Sequence, residues 1–189
     1  MRGTYALARV VVIRGTVART LLWIGAVGAV AGLAVPSLTG RRHGALVGLA
    51  AFVVFALVGL LQRYRWYTAR ANTLERAPFA VTTEPPIETR HRLARGNSLW
   101  LLVGMSTTAA LGLLGGPAAG MLVLGYGVGL FCATQLLARW ERGHETLVWA
   151  RTEDGRLLGR RSRIAPFSAT GPAAGQVRRP VVKGAGRAR

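Results

Sequence analysis

The chain has 189 residues, of which 25 are lysine or arginine and only 7 are aspartate or glutamate, so its formal net charge is +18. It contains one cysteine, which excludes an intramolecular disulfide framework. The charged residues avoid several long apolar runs that have no polar face, and this excludes a soluble bundle of amphipathic helices. An all-α integral membrane fold is therefore expected.

Residues 1–19 are predicted to form an arginine-bearing N-terminal arm. The uncharged run that follows predicts the first membrane-spanning helix over residues 20–36, because about 17–25 apolar residues are enough to cross a bilayer. An alternative is that residues 1–31 are a cleaved signal peptide with a small-residue cleavage site at 29–31. Apolar residues continue to Val35, beyond that site, which favours a retained helix.

A second uncharged run predicts a helix over residues 44–62, and the two helices together form a first transmembrane hairpin, residues 20–62. The segment 63–96 is charged and is predicted to be a loop. Its first part, 63–77, lacks helix breakers and is expected to extend the second helix.

The rest of the loop, residues 78–89, is proline-rich and is predicted to be extended or irregular. The third helix would then begin at residue 97, capped by Asn97 or Ser98.

Residues 97–138 form one uncharged run that is too long for a single crossing. The sequence Gly-Gly-Pro at 115–117 divides it into helices over residues 97–114 and 117–138, which form a second hairpin. The edges of the two hairpins match weakly, at Trp23 and Trp100 for example. Either an internal duplication or a shared need for arginine and aromatic residues at the interface would explain this match.

The tail, residues 139–189, is strongly basic, and Gly143 is expected to end the fourth helix. A small β-hairpin is predicted over residues 146–161, since Asp154-Gly155 is a two-residue turn signal between strand-forming residues. Residues 166–189 are rich in Gly, Ala, Pro and Arg without periodicity and are predicted to be disordered.

Basic residues set the expected orientation. Arg41 and Arg42, between the first two helices, are predicted to face outward, whereas the other 23 basic residues lie in the arm, the middle loop and the tail. Cytoplasmic segments carry the Lys/Arg excess. Both termini and the middle loop are therefore predicted to be cytoplasmic, in a multi-pass protein of the plasma (inner) membrane. The dominance of arginine over lysine is typical of a GC-rich bacterial genome.

Glycines at small-xxx-small spacing let helix backbones approach closely, either within one bundle or between subunits. The candidate packing residues are Gly28, Gly32, Gly112, Gly116, Gly120, Gly125 and Gly129.

Polar residues inside the spans are few. Ser106, Thr107 and Thr108 would either hydrogen-bond between helices or form a small polar lining.

Arginines next to the spans are candidate contacts for anionic lipid or for a partner protein, since each one near a charged bilayer surface contributes about 1 kcal/mol. They are Arg63, Arg65, Arg70, Arg139 and Arg142. The acidic residues are all placed in the cytoplasm, where solvated ion pairing with neighbouring arginines explains them better than metal binding. They are Glu75, Glu84, Glu88, Glu141, Glu145, Glu153 and Asp154.

The sequence contains no catalytic motif, cofactor-binding motif or clustered metal ligands. It predicts a non-enzymatic membrane protein that acts as an accessory, scaffold or regulatory subunit, with anionic lipid and another membrane protein, or a second copy, as partners. The alternative is a small channel, transporter component or holin-like oligomeric pore. Nucleic acid is a weaker expectation, since the basic tail has almost no interleaved aromatic residues to stack on bases.

Overall fold

The computed structural model describes residues 7–34, 41–71, 74–77, 83–151 and 168–171. Within these residues there are four long helices: α1 (Val10–Ala34), α2 (Arg41–Ala71), α3 (Pro86–Gly115) and α4 (Ala118–Gly143). Each contains a stretch long and apolar enough to cross a membrane. The predicted fold class is confirmed: the chain is an all-α, multi-pass membrane-type protein that also has a small sheet.

The helices pack in the order α2, α4, α1, α3. On α1, Gly25 lies against Leu124 and Gly32 lies against Pro117, so α1 and α4 are antiparallel. α3 packs against α1 and has a smaller contact with α4. We call α1 and α4 the inner pair, and α2 and α3 the outer helices.

The first predicted hairpin is not a packing unit. The backbones of α1 and α2 make no extensive contact within the described residues, because α4 lies between them. Glycines on two faces of α4 explain the difference. A Cβ at Gly125 would collide with the backbone of Phe52 in α2, whereas one at Gly120 would collide with the backbone of Ala29 in α1. Both neighbours can therefore approach α4 closely.

Two helices begin earlier than predicted. α1 begins at Val10 rather than at residue 20, and α3 begins at Pro86 rather than at residue 97. Asn97 and Ser98 lie inside α3, so the prediction that one of them caps it is wrong. Prolines mark its actual start, where a missing N–H removes no helical hydrogen bond. A search for uncharged runs could not detect helical turns that carry arginine and lie beyond the span.

Breakers at the other helix ends act as the sequence indicates. Gly116 has a φ of 84° and separates α3 from α4, whose first residue follows Pro117. α4 ends at Gly143. α2 extends past residue 62 to Ala71, so the expected extension is helical over most of its length.

A small sheet lies at one end of the bundle. It is built from β1 (Leu7–Arg9), β2 (Glu75–Arg76), β3 (Leu147–Arg151) and β4 (Ser168–Thr170), in the order β1-β3-β4-β2. β1, β3 and β4 are antiparallel, and β2 runs parallel to β4. The N-terminal arm, the middle loop and the tail each contribute at least one strand.

The tail differs from its prediction in two ways. β3 forms where a strand was expected, but its partners are β1 and β4; the predicted turn and return strand, residues 152–161, lie outside the described residues. β4 falls inside the segment predicted to be disordered, so that prediction is wrong at residues 168–170. Residues 166–167 and 172–189 of the segment lie outside the described residues. Long-range pairing stabilises this Ser-Ala-Thr strand, whose local propensity is weak.

One end of the bundle, which we call the sheet end, gathers the starts of α1 and α3, the ends of α2 and α4, and the sheet. The opposite end, which we call the loop end, holds Ala34, Arg41 and the break between α3 and α4. A buried apolar cluster joins the sheet to the helices. It consists of Ala8, Val10, Ile13, Tyr67, Leu93, Ala133, Leu137, Val148 and Ala150.

Candidate functional site at the sheet end

A buried ion pair fastens the sheet to the bundle. Arg9, the last residue of β1, donates from Nη2 to Oε2 of Glu141 on α4 at 2.6 Å and from Nε to the same oxygen at 3.2 Å. The backbone N–H of Val148 in β3 donates to Oε1 of the same carboxylate at 3.0 Å. One side chain thus joins α4, β1 and β3.

Glu141 is not solvated, and the expectation of a solvated ion pair is wrong for this residue. Its side chain is fully buried, with a relative exposure of 0%, while that of Arg9 is 33% exposed. A buried carboxylate is tolerated only when its charge and its lone pairs have partners, and here both oxygens accept hydrogen bonds. The sequence around Glu141 did not predict this burial, because it resembles that of other charged helix ends and the charged partner, Arg9, lies 132 residues away in the chain.

The other acidic residues fall into two groups. Glu84 pairs with Arg92 at 2.9 Å; the Arg92 side chain is 44% exposed and that of Glu84 is 10% exposed, so the pair is solvated on the arginine side only. Glu88 and Glu145 are exposed. The side chain of Glu75, together with Glu153 and Asp154, lies outside the described residues.

Two arginines from different helices flank one tryptophan. The guanidinium carbon of Arg14 on α1 lies 5.4 Å from the ring centroid of Trp66 on α2, and that of Arg63 lies 5.7 Å from it. Tyr67 packs against the same tryptophan edge-to-face, with ring centroids 5.2 Å apart. We call Arg14, Arg63 and Trp66 the Trp66 cluster. It links α1 to α2 at the sheet end, where their backbones remain apart.

Arg63 keeps an unused donor in this cluster. Its Nε is buried and has no hydrogen-bond partner among the described residues. The cluster therefore places two arginine side chains beside one half-buried ring at the sheet end.

The remaining predicted arginine contacts lie on the surface. Arg65, Arg139 and Arg142 are exposed, although Arg142 Nε also donates to the carbonyl of Ala138 at 3.2 Å. The Arg70 side chain lies outside the described residues. Further exposed arginines surround the sheet end, namely Arg19, Arg76, Arg90, Arg92 and Arg95.

All seven candidate glycines lie at helix contacts or at the helix break. Gly28, Gly32 and Gly112 lie where α1 meets α3 and the start of α4, and Gly116 lies at the break beside Gly32. Gly120 faces α1. Gly125 and Gly129 face Phe52, Ala56 and Leu60 on α2.

The structure does not bring the polar triplet of α3 together on one face. Thr108 is buried, and its Oγ1 donates towards the Ile24 carbonyl of α1 at 3.0 Å and the Gly104 carbonyl of its own helix at 2.8 Å. Ser106 and Thr107 are exposed. Of the two alternatives for this triplet, interhelical hydrogen bonding describes Thr108.

Sequence reasoning missed Arg9 and Arg14 as functional candidates, because both were assigned to the N-terminal arm before the first span. Among the residues that the structure describes, no three His, Cys, Asp or Glu side chains lie close enough to hold a metal ion. Cys132 is exposed on α4.

The architecture defines a multi-pass, four-helix membrane protein with a cationic, sheet-covered end. No family model matches the chain, and neither a curated protein nor a solved structure matches it.

Proposed function

We propose that this protein is a non-enzymatic accessory or scaffold subunit of a bacterial inner membrane, and that its sheet end is a cytoplasmic docking platform. The observation that carries the proposal is the sheet itself. Three separate hydrophilic segments meet in one sheet, which Glu141 fastens to α4 through β1 and β3, and exposed arginines surround it. Such a surface attracts anionic lipid headgroups and acidic faces of partner proteins.

The orientation follows from the distribution of charge. Arginines of the arm, the middle loop and the tail accompany the sheet end, whereas the loop end holds Arg41 and Arg42. The positive-inside rule then places the sheet end in the cytoplasm. Reporter fusions after residue 39 and at residue 189 should report opposite compartments; the same compartment for both would overturn this orientation.

Glycine packing favours the scaffold over the alternative of an oligomeric pore. A pore built from this chain would need glycine faces for association between copies. Here the glycine faces of α4 are covered by α1 and α2 of the same chain. The surfaces left for partners are the exposed apolar faces of the outer helices and the sheet end.

Affinity purification in a mild detergent tests the proposal. We expect the full chain to retain a second protein that is lost, by about fivefold or more, from the double variant Arg139→Gln and Arg142→Gln, since each exposed arginine contributes about 1 kcal/mol to such contacts. The matched control is Arg41→Gln with Arg42→Gln, which removes two adjacent charges at the loop end and should leave retention unchanged.

Recovery of the chain alone, with no copurifying protein under several mild detergents, would overturn the docking role. Equal loss in both double variants would also overturn it, because retention would then depend on net charge rather than on the sheet end.

A further inference from the structure

We propose that the exposed face of α1 binds a transmembrane helix of another protein, through a carboxylate of that helix that pairs with Arg19 inside the apolar layer. The inference rests on the proposed role as an accessory subunit, but it does not depend on the sheet-end platform. It assigns a second interface, which lies within the membrane, and it states the chemistry of the partner there.

Arg19 lies deeper in the bundle than its place in the sequence indicates. In the sequence it directly precedes the uncharged run of α1. Two contacts with the antiparallel α4 lie on either side of it along α1. A Cβ at Gly15 would lie 4.0 Å from the Thr134 side chain, and one at Gly25 would collide with the backbone of Leu124. These contacts fix the register of α1 against α4 around Arg19.

This register places Arg19 level with apolar residues on the other three helices. It lies beside Leu130 of α4, and the glycine contacts of α2 and α3 put Leu57 and Leu99 at about the same level. At about 1.5 Å per residue, Arg19 lies about 6–14 Å deeper than the next arginines towards the sheet end. These arginines lie nine residues from Leu130, six from Leu57 and four from Leu99, and they are Arg139, Arg63 and Arg95 respectively.

Tilt of the bundle does not remove this difference. Transmembrane helices tilt by about 20° on average, and packed helices lie about 8–10 Å apart. Such a tilt shifts one helix against its neighbour by about 3–4 Å along the bilayer normal, which is less than the difference on α4 or on α3. Exposed leucines also mark this level as apolar, since Leu99 is 67% exposed and Leu61, one turn nearer the sheet end than Leu57, is 56% exposed. Arg19 therefore lies at the level of the hydrocarbon layer.

Arg19 has no partner within the described part of the chain. Its side chain is exposed, and neither an ion pair nor a hydrogen bond joins it to another described residue. A charged group in the hydrocarbon layer is costly and is retained where it meets an opposite charge. The side chain points towards the sheet end, because α1 begins there, so lipid headgroups are the competing partner.

Trp23 favours a protein partner over a headgroup. It lies one turn deeper on the same face and is 64% exposed. Nine residues, or about 14 Å, separate it from Gly32 at the loop end, which places it near the middle of a core about 30 Å thick. Tryptophan is favoured at the two interfaces rather than at this depth, where no headgroup can accept from its indole N–H. Arginine and tryptophan are also the side chains that most often anchor protein interfaces.

The rest of the face has the spacing of a helix-packing surface. Although α1 belongs to the inner pair, Val30 and Leu33 on this face are 65% and 38% exposed. With the half-buried Ala26, the face repeats every three or four residues from Arg19 to Leu33, as a surface that receives a neighbouring helix does. A small residue at its centre allows close approach.

A second copy of this chain does not supply the required carboxylate. All seven acidic residues lie outside the uncharged runs. Glu141 is in addition buried and paired with Arg9. The partner is therefore a different protein, with an aspartate or glutamate in the half of its span nearer the sheet end of this chain.

The depth of Arg19 is tested with a spin label. Cys132 is the single cysteine, so Cys132→Ala gives a background in which Arg19→Cys carries the one label. In vesicles we expect this label to lie at least about 6 Å deeper than the same label introduced by Arg139→Cys. Equal depths at the two positions would overturn the proposal.

Association is tested with a synthetic alanine-leucine transmembrane helix as the probe. It carries one glutamate about a third of the way into its span, and a matched peptide carries glutamine there. Each peptide is titrated against the full chain in phosphatidylcholine vesicles, and association is measured by energy transfer between dyes on the peptide and on the chain. We expect the glutamate peptide to associate at least about tenfold more tightly, and Arg19→Gln to remove this preference.

The matched control is Arg65→Gln, which removes an exposed arginine near the headgroups and should change the preference by less than about twofold. Trp23→Leu should weaken both peptides by about threefold and leave the ratio between them unchanged, because it removes an anchor and not the charge. Arg19→Lys keeps the charge and should keep most of the preference. This variant keeps the test decisive if Arg19→Gln fails to fold.

Equal association of the two peptides with the unmodified chain would overturn the proposal and leave Arg19 to lipid headgroups. A preference that survives Arg19→Gln would overturn it as well. Because the isolated chain and a synthetic helix are used, failure to copurify a natural partner does not affect these results. Equal binding of the peptides would in turn leave unchanged any retention that depends on Arg139 and Arg142.

Discussion

The inner helix pair and the sheet end are held together by different forces. Between α1 and α4 the described contacts depend on glycines, which have no side chain to keep the helices apart. Gly120 lets the backbone of Ala29 approach, and Gly25 lets that of Leu124 approach. At the sheet end the contacts are directed hydrogen bonds, centred on Glu141.

The difference reflects the surrounding solvent. In a bilayer, apolar side chains gain little by leaving lipid for another helix, so close packing of backbones drives association. Outside it, water competes for polar groups, and a hydrogen bond contributes most where water is excluded. The bundle is therefore expected to be sensitive to added volume, and the sheet end to lost polar partners.

Adding volume at the inner pair should have the largest effect. Gly120→Val places branched carbon atoms against the backbone of Gly28 and Ala29, which cannot move aside as a side chain can. We expect a loss of about 3 kcal/mol or more of unfolding free energy, measured by denaturant titration in micelles. Gly96→Ala is the control, since nothing lies within 4 Å of that position; it should be neutral or slightly stabilising. A tolerated Gly120→Val would contradict the close approach.

Removing the charge of Glu141 should have the next largest effect. Glu141→Gln leaves the half-buried Arg9 without its counter-ion, and a loss of about 2–3 kcal/mol is expected. The effect should be local, seen as faster hydrogen exchange in β1 and β3 with little change in α4. Glu84→Gln, which breaks the more exposed pair with Arg92, should cost less than about 1 kcal/mol. Equal costs for both variants would contradict the distinct role of Glu141.

A smaller effect is expected from the hydrogen bond that crosses the inner region. Thr108→Val keeps the volume of the side chain but removes the donor to the Ile24 carbonyl. Measured hydrogen bonds between membrane helices suggest a loss of about 0.6–1.7 kcal/mol in micelles. Thr107→Val, at the neighbouring exposed position, should have no measurable cost. A neutral Thr108→Val would show that shape alone holds α1 against α3.

The smallest effect is expected between β3 and β4, the two central strands of the sheet. Trp149 Nε1 donates to Thr170 Oγ1 at 2.6 Å, linking β3 to β4. Trp149→Phe keeps an aromatic side chain but removes the indole N–H, and it should cost about 0.5–1.5 kcal/mol, detected as faster hydrogen exchange in β4. Trp100→Phe, on the exposed face of α3, serves as the control. If β4 exchanged at the same rate in both variants, Trp149 would have no part in holding it.

The sequence predicted the helices well because the absence of charge over about 20 residues has one dominant explanation, which is a bilayer. The ends of α3 and α4 at Gly116 and Gly143 were also predicted, because a helix breaker ends a helix through its own backbone and needs no distant partner. The helix starts could not, since turns of α1 and α3 outside the apolar run carry arginine and resemble loop sequence.

The packing order and the sheet could not be predicted for a different reason. Nothing in the sequence of β1 or β4 distinguishes three strand residues from coil; they form strands because β3 lies beside them. The Trp66 cluster was partly visible, since Arg63 and Trp66 follow a span. Its third member, Arg14, lies on α1. Its position beside Trp66 could not be predicted without knowing how α1, α4 and α2 pack.

The strands of the sheet come from three separate parts of the chain, so whether the sheet forms depends on how the chain was inserted into the membrane. β1 precedes the first helix, β2 lies between the second and third, and β3 and β4 follow the fourth. These strands can meet only if every helix crosses the membrane in the correct direction. A molecule with one skipped crossing would leave β1 and Glu141 on opposite sides of the membrane, and Glu141 would lose its partner Arg9. Completion of the sheet therefore distinguishes a correctly inserted molecule from a misinserted one.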